Sequence, residues 1–375
     1  MRLLDGARAA WQSFGGSAGR WRTVPAVLSI GLSTAVLAGC GPAHSDSQPR
    51  SLTPTPASAQ QMVYLLESLL PQGKYSAQHG QGQGGRPGSP PSAELILEVG
   101  GKAAKVTVAL NRYPLPVPAQ LAQCPDTAYH PYSQCAQSQL PGGARLVRDQ
   151  SPRDEDKPSG GKVRSVLLTH KDGTQVFVSE TGGLDGKTAA GNTALPLSLE
   201  QLSAIATDTA WKPLLSAMPA PRTGGPRTGS VSEMTGAQIT HVIKELLPAG
   251  LHAAQEGGSQ GFGHVVVDDG HGKSLVAVNV QRWKPDDANM TKLFEKADTQ
   301  SDGTRVTVRK SPPSQGGKGA VEWSVDTFRK DGLRVVISAV NAGAYKLPAS
   351  RTEPALKIGQ LQQIALAPTW RRAGS

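Results

Sequence analysis

A serine set among glycines, Gly257-Gly258-Ser259-Gln260-Gly261, fits the G-x-S-x-G spacing of a hydrolase nucleophile. That spacing works where the serine tops a sharp strand-to-helix turn. Here the serine follows a helical pattern and precedes a strand, inside a glycine-rich stretch that reads as a mobile loop. His252 and His264 flank that loop and are the nearest candidate bases. Gly80, Gly82 and Gly85 fit the dinucleotide pattern G-x-G-x-x-G, but no strand leads into them and no helix follows. Gly272-Lys273-Ser274 ends like a phosphate loop, yet Val267 occupies the position where that motif begins with glycine. Asp268, Asp269 and His271 could gather around a cation, although turn chemistry alone accounts for Asp and Gly there. The expectation is no catalytic site, no metal and no cofactor. Ser259 is the only candidate nucleophile of an alternative hydrolase reading.

Cys40 carries chemistry of another kind. Four arginines, Arg2, Arg8, Arg20 and Arg22, precede an apolar run of 14 residues, 24–37. A spanning helix needs about 20 apolar residues, so the run fits a signal peptide instead. It ends in Leu37-Ala38-Gly39-Cys40, small residues followed by a cysteine. This resembles the lipobox of bacterial lipoproteins, and the composition is similar to that of lipoproteins of high-GC Gram-positive bacteria. The resemblance covers residues 24–40 and brings no activity with it. It implies that residues 1–39 are a signal peptide and that Cys40 bears a diacylglyceryl thioether. The chain would then be lipid-anchored at the extracellular face of the cell membrane. Two acyl chains anchor stably where one is marginal, at about 0.8 kcal/mol per buried CH₂. Residues 40–58, rich in Ser, Pro, Thr and Ala, read as a flexible tether.

Of three cysteines, acylation of Cys40 leaves Cys124 and Cys135. Outside the cytoplasm such a pair is expected to form a disulfide. Its spacing is wider than that of the Cys-x-x-Cys redox motif.

Arg112 and Arg282 each end an apolar strand pattern beside Tyr113 or Trp283, and a guanidinium placed there could bind an anion. The formal net charge is +10, of which +7 remains once residues 1–39 are removed. The basic residues are scattered, and aromatic residues make up 5% of the chain, which argues against a base-stacking surface. Membrane lipid through Cys40, an anionic envelope polymer or another envelope protein are the expected partners; nucleic acid is not.

The elements that must position these residues occur twice. Gln61-Met62-Val63-Tyr64-Leu65-Leu66-Glu67-Ser68-Leu69-Leu70-Pro71 returns as Gln238-Ile239-Thr240-His241-Val242-Ile243-Lys244-Glu245-Leu246-Leu247-Pro248, both with one apolar helical face. Residues 106–113 match 276–283, and 171–178 match 330–337. Residues 199–206 with Trp211 match 358–365 with Trp370. Strands are predicted at 93–99, 104–112, 144–149, 162–170 and 174–181, and at 261–268, 273–283, 303–310, 320–329 and 332–340. Asp172-Gly173 and Asp331-Gly332 mark the hairpin turns. The expected fold is α+β: two homologous tandem domains, each a mainly antiparallel sheet with an N-terminal and a C-terminal helix. The domains span 59–217 and 234–375, joined by a linker at 218–233. The first copy is longer in two places. One is a Gly/Gln/Pro tract, 73–92, that reads as a disordered loop; the other is an insertion that includes Cys124 and Cys135. The function this supports is non-catalytic binding, sensing or scaffolding at the cell envelope. A carrier of apolar ligand is a further alternative, which would need a large apolar cavity.

Overall fold

Side-chain alternation decides where the strands lie. In β2 (Ser92–Val99), Ala93, Leu95 and Leu97 are buried, while Glu94, Ile96 and Glu98 take the other face. That is the period of a half-buried strand. A computed structural model describes residues 56–84, 90–118, 121–183, 194–220, 234–313 and 315–372. The proposed signal peptide, Cys40, nearly all of the proposed tether, and Gly85 lie outside the described residues.

The first half contains β1 (Lys74–Gln81), β2, β3 (Lys102–Arg112), β4 (Gln134–Gln139), β5 (Arg145–Pro152), β6 (Lys162–Thr169) and β7 (Thr174–Thr181). They form an antiparallel seven-stranded sheet in the order β1-β2-β3-β7-β6-β5-β4. The second half contains β8 (His252–Ser259), β9 (Phe262–Asp268), β10 (Lys273–Arg282), β11 (Asp298–Thr299), β12 (Arg305–Ser311), β13 (Glu322–Phe328) and β14 (Leu333–Val340). Its sheet runs β11-β12-β13-β14-β10-β9-β8 and is also antiparallel. Read from the other edge, the second order repeats the first strand for strand. The protein is therefore mixed α+β, with two similar sheet domains.

Two helices of each half lie against one face of its sheet. In the first half α1 (Ala59–Leu69) packs on β1 and β2, and α2 (Leu199–Thr207) on β6 and β7. Helix α3 (Lys212–Ala217) follows. In the second half α4 (Gly236–Leu246) packs on β8 and β9, and α6 (Ile358–Leu366) on β13 and β14. Helix α5 (Ala288–Leu293) lies between β10 and β11, and α7 (Thr369–Arg372) ends the described chain. Three of the four repeated glutamines act as helix caps, Gln360 by accepting from Lys357 N–H at 2.8 Å. Gln201 and Gln238 close capping boxes with Ser198 and Thr235. Trp211 and Trp370 are buried alike, each donating its indole N–H at 2.7 Å to a helix carbonyl, Ile205 or Ile364.

Three expectations need correction. Residues 74–81 of the tract read as a disordered loop form β1, and the glycine-rich run around Ser259 is β8, not a mobile loop. Both are edge strands whose glycines admit a helix. A Cβ on Gly80 would collide with the Ala59 carbonyl, and one on Gly236 would sit 2.6 Å from the Gly258 carbonyl carbon. The hairpin turns are also longer than Asp-Gly alone. They span 170–173 and 329–332, and the N–H of Gly173 or Gly332 donates to the carbonyl of His170 or Arg329. Both glycines sit at positive φ, 82° and 83°. Cys124 lies in the segment between β3 and β4, and Cys135 is on β4, opposite Asp149.

Candidate functional site

The segment between β3 and β4 reaches out of the first domain. Cys124 is bonded to Cys135, with Cα atoms 5.7 Å apart, so the segment is stapled to the edge of its own sheet. Gln175 Nε2 holds it from beneath, donating to the Leu121 carbonyl at 2.7 Å. Beyond Cys124 the chain makes a tight turn. The Asp126 side chain accepts from Ala128 N–H at 2.9 Å, and the Asp126 carbonyl accepts from His130 N–H at 2.9 Å.

This turn presents Ala128 and Tyr129 to the face of the second sheet opposite α4 and α6. They join Phe262, Val266, Leu275, Ala277, Val340, Ala342 and Tyr345 in one apolar cluster. The Tyr129 ring stacks on Tyr345 at 5.1 Å and leans on Phe262 at 5.2 Å. Tyr345 N–H donates to the Ala128 carbonyl at 2.9 Å. Around this contact runs an ionic rim, in which Glu155 is bound by Lys346 and lies 3.1 Å from His130 Nδ1. Burial raises the Glu155 pKa, but the hydrogen bonds from His130 and Lys346 outweigh it and hold the carboxyl below its ordinary value. Burial pushes the Tyr129 and Tyr345 hydroxyls well up, so both stay neutral.

His264 belongs to this contact. It lies on β9 between Phe262 and Val266 and is buried, with its ring over Gly257. Its Nδ1 is 3.4 Å from Asp126 Oδ1, too poorly aimed for a hydrogen bond. Burial lowers its pKa, against the opposing charges of Asp126 and Glu256. His264 is thus fixed on a strand, not beside a mobile loop. Ser259 is exposed at the end of β8, paired in register with Phe262.

The other residues singled out by type and spacing are mostly held by structure. Asp269 takes a forked pair of hydrogen bonds from Arg351, at 2.8 and 3.2 Å. Asp268 and Asp269 also accept the turn N–H groups of Gly270 and His271. Among the described residues no cluster of three or more His, Cys, Asp or Glu is placed to hold a metal ion. Arg112 and Arg282 occupy the same register positions, opposite Thr174 and Leu333. Arg112 donates to the Met218 carbonyl at 2.8 Å, after α3.

Two surface cavities lie on the second domain. One, of about 260 Å³, is lined by Pro285, Gly303, Arg305, Phe328, Arg329 and Lys330. The other, of about 470 Å³, has His271, Arg351, Glu353 and Lys357 in its wall. Charged side chains make up half of the first wall, and charged and polar ones most of the second. Arg329 was missed by sequence reasoning because it sits in a hairpin turn without a motif; its one signal is that His170 takes its place in the first copy.

No family model matches the chain, and no curated protein matches it in sequence. Among solved structures, DynU16 of the dynemicin biosynthetic locus is 11% identical, over 86% of this chain and 91% of that one. Its TM-score is 0.12, and the likeness carries no argument. Among the described residues no helix is long and apolar enough to cross a membrane.

Proposed function

We propose that this chain is a lipid-anchored protein of the cell envelope, exported by a signal peptide over residues 1–39 and held through Cys40. There it would present two domains of common descent as a non-catalytic binding or scaffolding unit. The observation that carries the location is the sequence Leu37-Ala38-Gly39-Cys40 after a 14-residue apolar run. The Cys124–Cys135 bond agrees with an oxidising compartment. Binding is favoured over hydrolysis because, among the described residues, no histidine hydrogen-bonds the exposed Ser259. His264 is turned toward Asp126 and packed against the Phe262 ring, so its geometry serves the domain contact. A general base must reach its proton at hydrogen-bond distance.

Replacement of Cys40 by Ser tests the anchor. Membrane fractionation and labelling with radioactive palmitate are expected to show the wild type in membranes and labelled, and the variant soluble and unlabelled. Retention of the variant in membranes would remove the lipoprotein reading. Labelling of Ser259 by a fluorophosphonate, abolished by His264→Ala, would restore the hydrolase.

A further inference from the structure

Around the 260 Å³ cavity, three of the six lining residues are cationic and none is acidic. Each cation is set in place by packing. The Arg305 guanidinium lies over the rings of Phe294 and Phe328, at 5.6 and 5.0 Å. The end of the Lys330 side chain crosses Gly303, filling space that a Cβ would need. Arg329 is only 3% exposed. Its Nη2 donates to the carbonyls of Ala365 and Ala367, at 3.2 and 2.9 Å, which leaves Nη1 buried with no acceptor. An unsatisfied charged donor is costly, and the residue that carries it lines the cavity.

The surrounding field is positive. Burial first, then the neighbouring Arg371 and Arg282, lower the Arg329 pKa, with Asp331 and Asp302 acting the other way. Those two carboxylates are already engaged. Asp331 accepts from Arg371 at 3.1 Å, and Asp302 accepts from Thr304 N–H at 2.8 Å.

We propose that this cavity binds a dianionic phosphate group, with Arg329, Arg305 and Lys330 supplying its donors. Guanidinium forks match phosphate oxygens, and three cations exceed what one carboxylate would balance. The volume falls below the roughly 300–1,000 Å³ of pockets that enclose drug-sized ligands, so it suits the charged group and not a whole large molecule. The first domain does not repeat the site. There Thr169 and His170 replace Phe328 and Arg329, and Arg145, the counterpart of Arg305, donates to the Ala122 carbonyl at 3.4 Å. The proposal rests on the binding reading above for its biological setting, and it is tested separately from membrane anchoring.

The test uses the full chain carrying Cys40→Ser, so that acylation cannot contribute. Calorimetric titration with inorganic phosphate at low salt is expected to show saturable binding. Lys330→Gln should weaken it about tenfold, and Arg305→Gln with Lys330→Gln should abolish it. Lys171→Gln with Lys212→Gln removes equal charge from the first domain and should leave it unchanged. Lys330→Gln alone keeps the test valid if loss of the Arg305 ring contacts lowers stability. Cosedimentation with vesicles containing phosphatidic acid, against phosphatidylcholine alone, separates a lipid headgroup from a soluble phosphate. Binding in either arm that the double variant loses supports the site and names its source. Binding in neither arm, or binding indifferent to the double variant, overturns it.

Discussion

Glu180 is fully buried in the first domain, and its two carboxyl oxygens have different fates. Oε1 accepts the Leu197 N–H at 2.8 Å, while Oε2 has no partner. Burial pushes its pKa up to about 7, against the opposing pull of the Leu197 amide, Arg164 and Lys102. With an ordinary value of 4.5 in the unfolded chain, the folded state binds more protons between those limits. The stabilising contribution is therefore complete below pH 4.5 and lost as pH rises through about 7. Glu180→Gln keeps the acceptor and removes the ionisation. It is expected to leave stability at pH 4.5 near wild type and raise it at pH 8 by about 3 kcal/mol, measured by urea unfolding. An unchanged difference between the two pH values would defeat the argument. A glutamate at the end of Val176-Phe177-Val178-Ser179 reads in sequence as a solvated strand terminus; only the Leu197 segment laid over it makes it a buried acid.

At the scale of elements, helix and edge strand fit by omission of side chains. Gly236 opens α4 against Gly258, and Gly263 sits where a Cβ would lie 2.7 Å from Ile239 Cγ2. Gly359, at the start of α6, has open space around it. The same substitution should therefore have opposite signs. Gly359→Ala is expected to stabilise by about 0.5 kcal/mol through helix propensity. Gly236→Ala should destabilise by roughly 1–3 kcal/mol through overpacking. Thermal melting of the two variants checks both, and a stabilised Gly236→Ala would mean that the strand is not held close. The central strands were legible because their apolar residues alternate and recur in both copies. The edge strands β1 and β8 were not, because Lys74–Gln81 and His252–Ser259 are mostly exposed and carry little apolar pattern. Their glycines, which suggested motifs or disorder, record the proximity of a helix.

At the scale of the whole molecule, residues Pro54–Ser375 cohere as one unit, and Tyr129 is central to the contact between its halves. Tyr129→Ala removes both ring contacts at the seat formed by Phe262 and Tyr345. A cost of about 2–4 kcal/mol is expected. Calorimetry should then resolve two transitions where the wild type has one, with a larger radius of gyration by X-ray scattering. A single transition at the wild-type temperature would show that the halves are coupled elsewhere. Part of this contact was visible in sequence. The extra residues around Cys124 marked something peculiar to the first copy. In β10 the apolar Leu275, Val276, Ala277 and Val278 run consecutively, the pattern of a strand covered on both faces. What covers the second face could not be read, because periodicity reports burial and says nothing about which distant segment supplies it.

The direction of synthesis gives that contact a temporal order. The stapled turn belongs to the half that leaves the ribosome first; its seat belongs to the half that follows. Domains generally fold as they emerge. The earlier half must therefore complete its sheet while holding out an aromatic side chain with nowhere to go. During that interval the molecule is its own unfinished partner, and a second early half nearby is a competitor for nothing yet built. Residues 56–220 produced alone should self-associate through Tyr129, and Tyr129→Ser should abolish that association in sedimentation analysis. A monomeric wild-type fragment would mean that the turn folds back and shelters itself until its seat arrives.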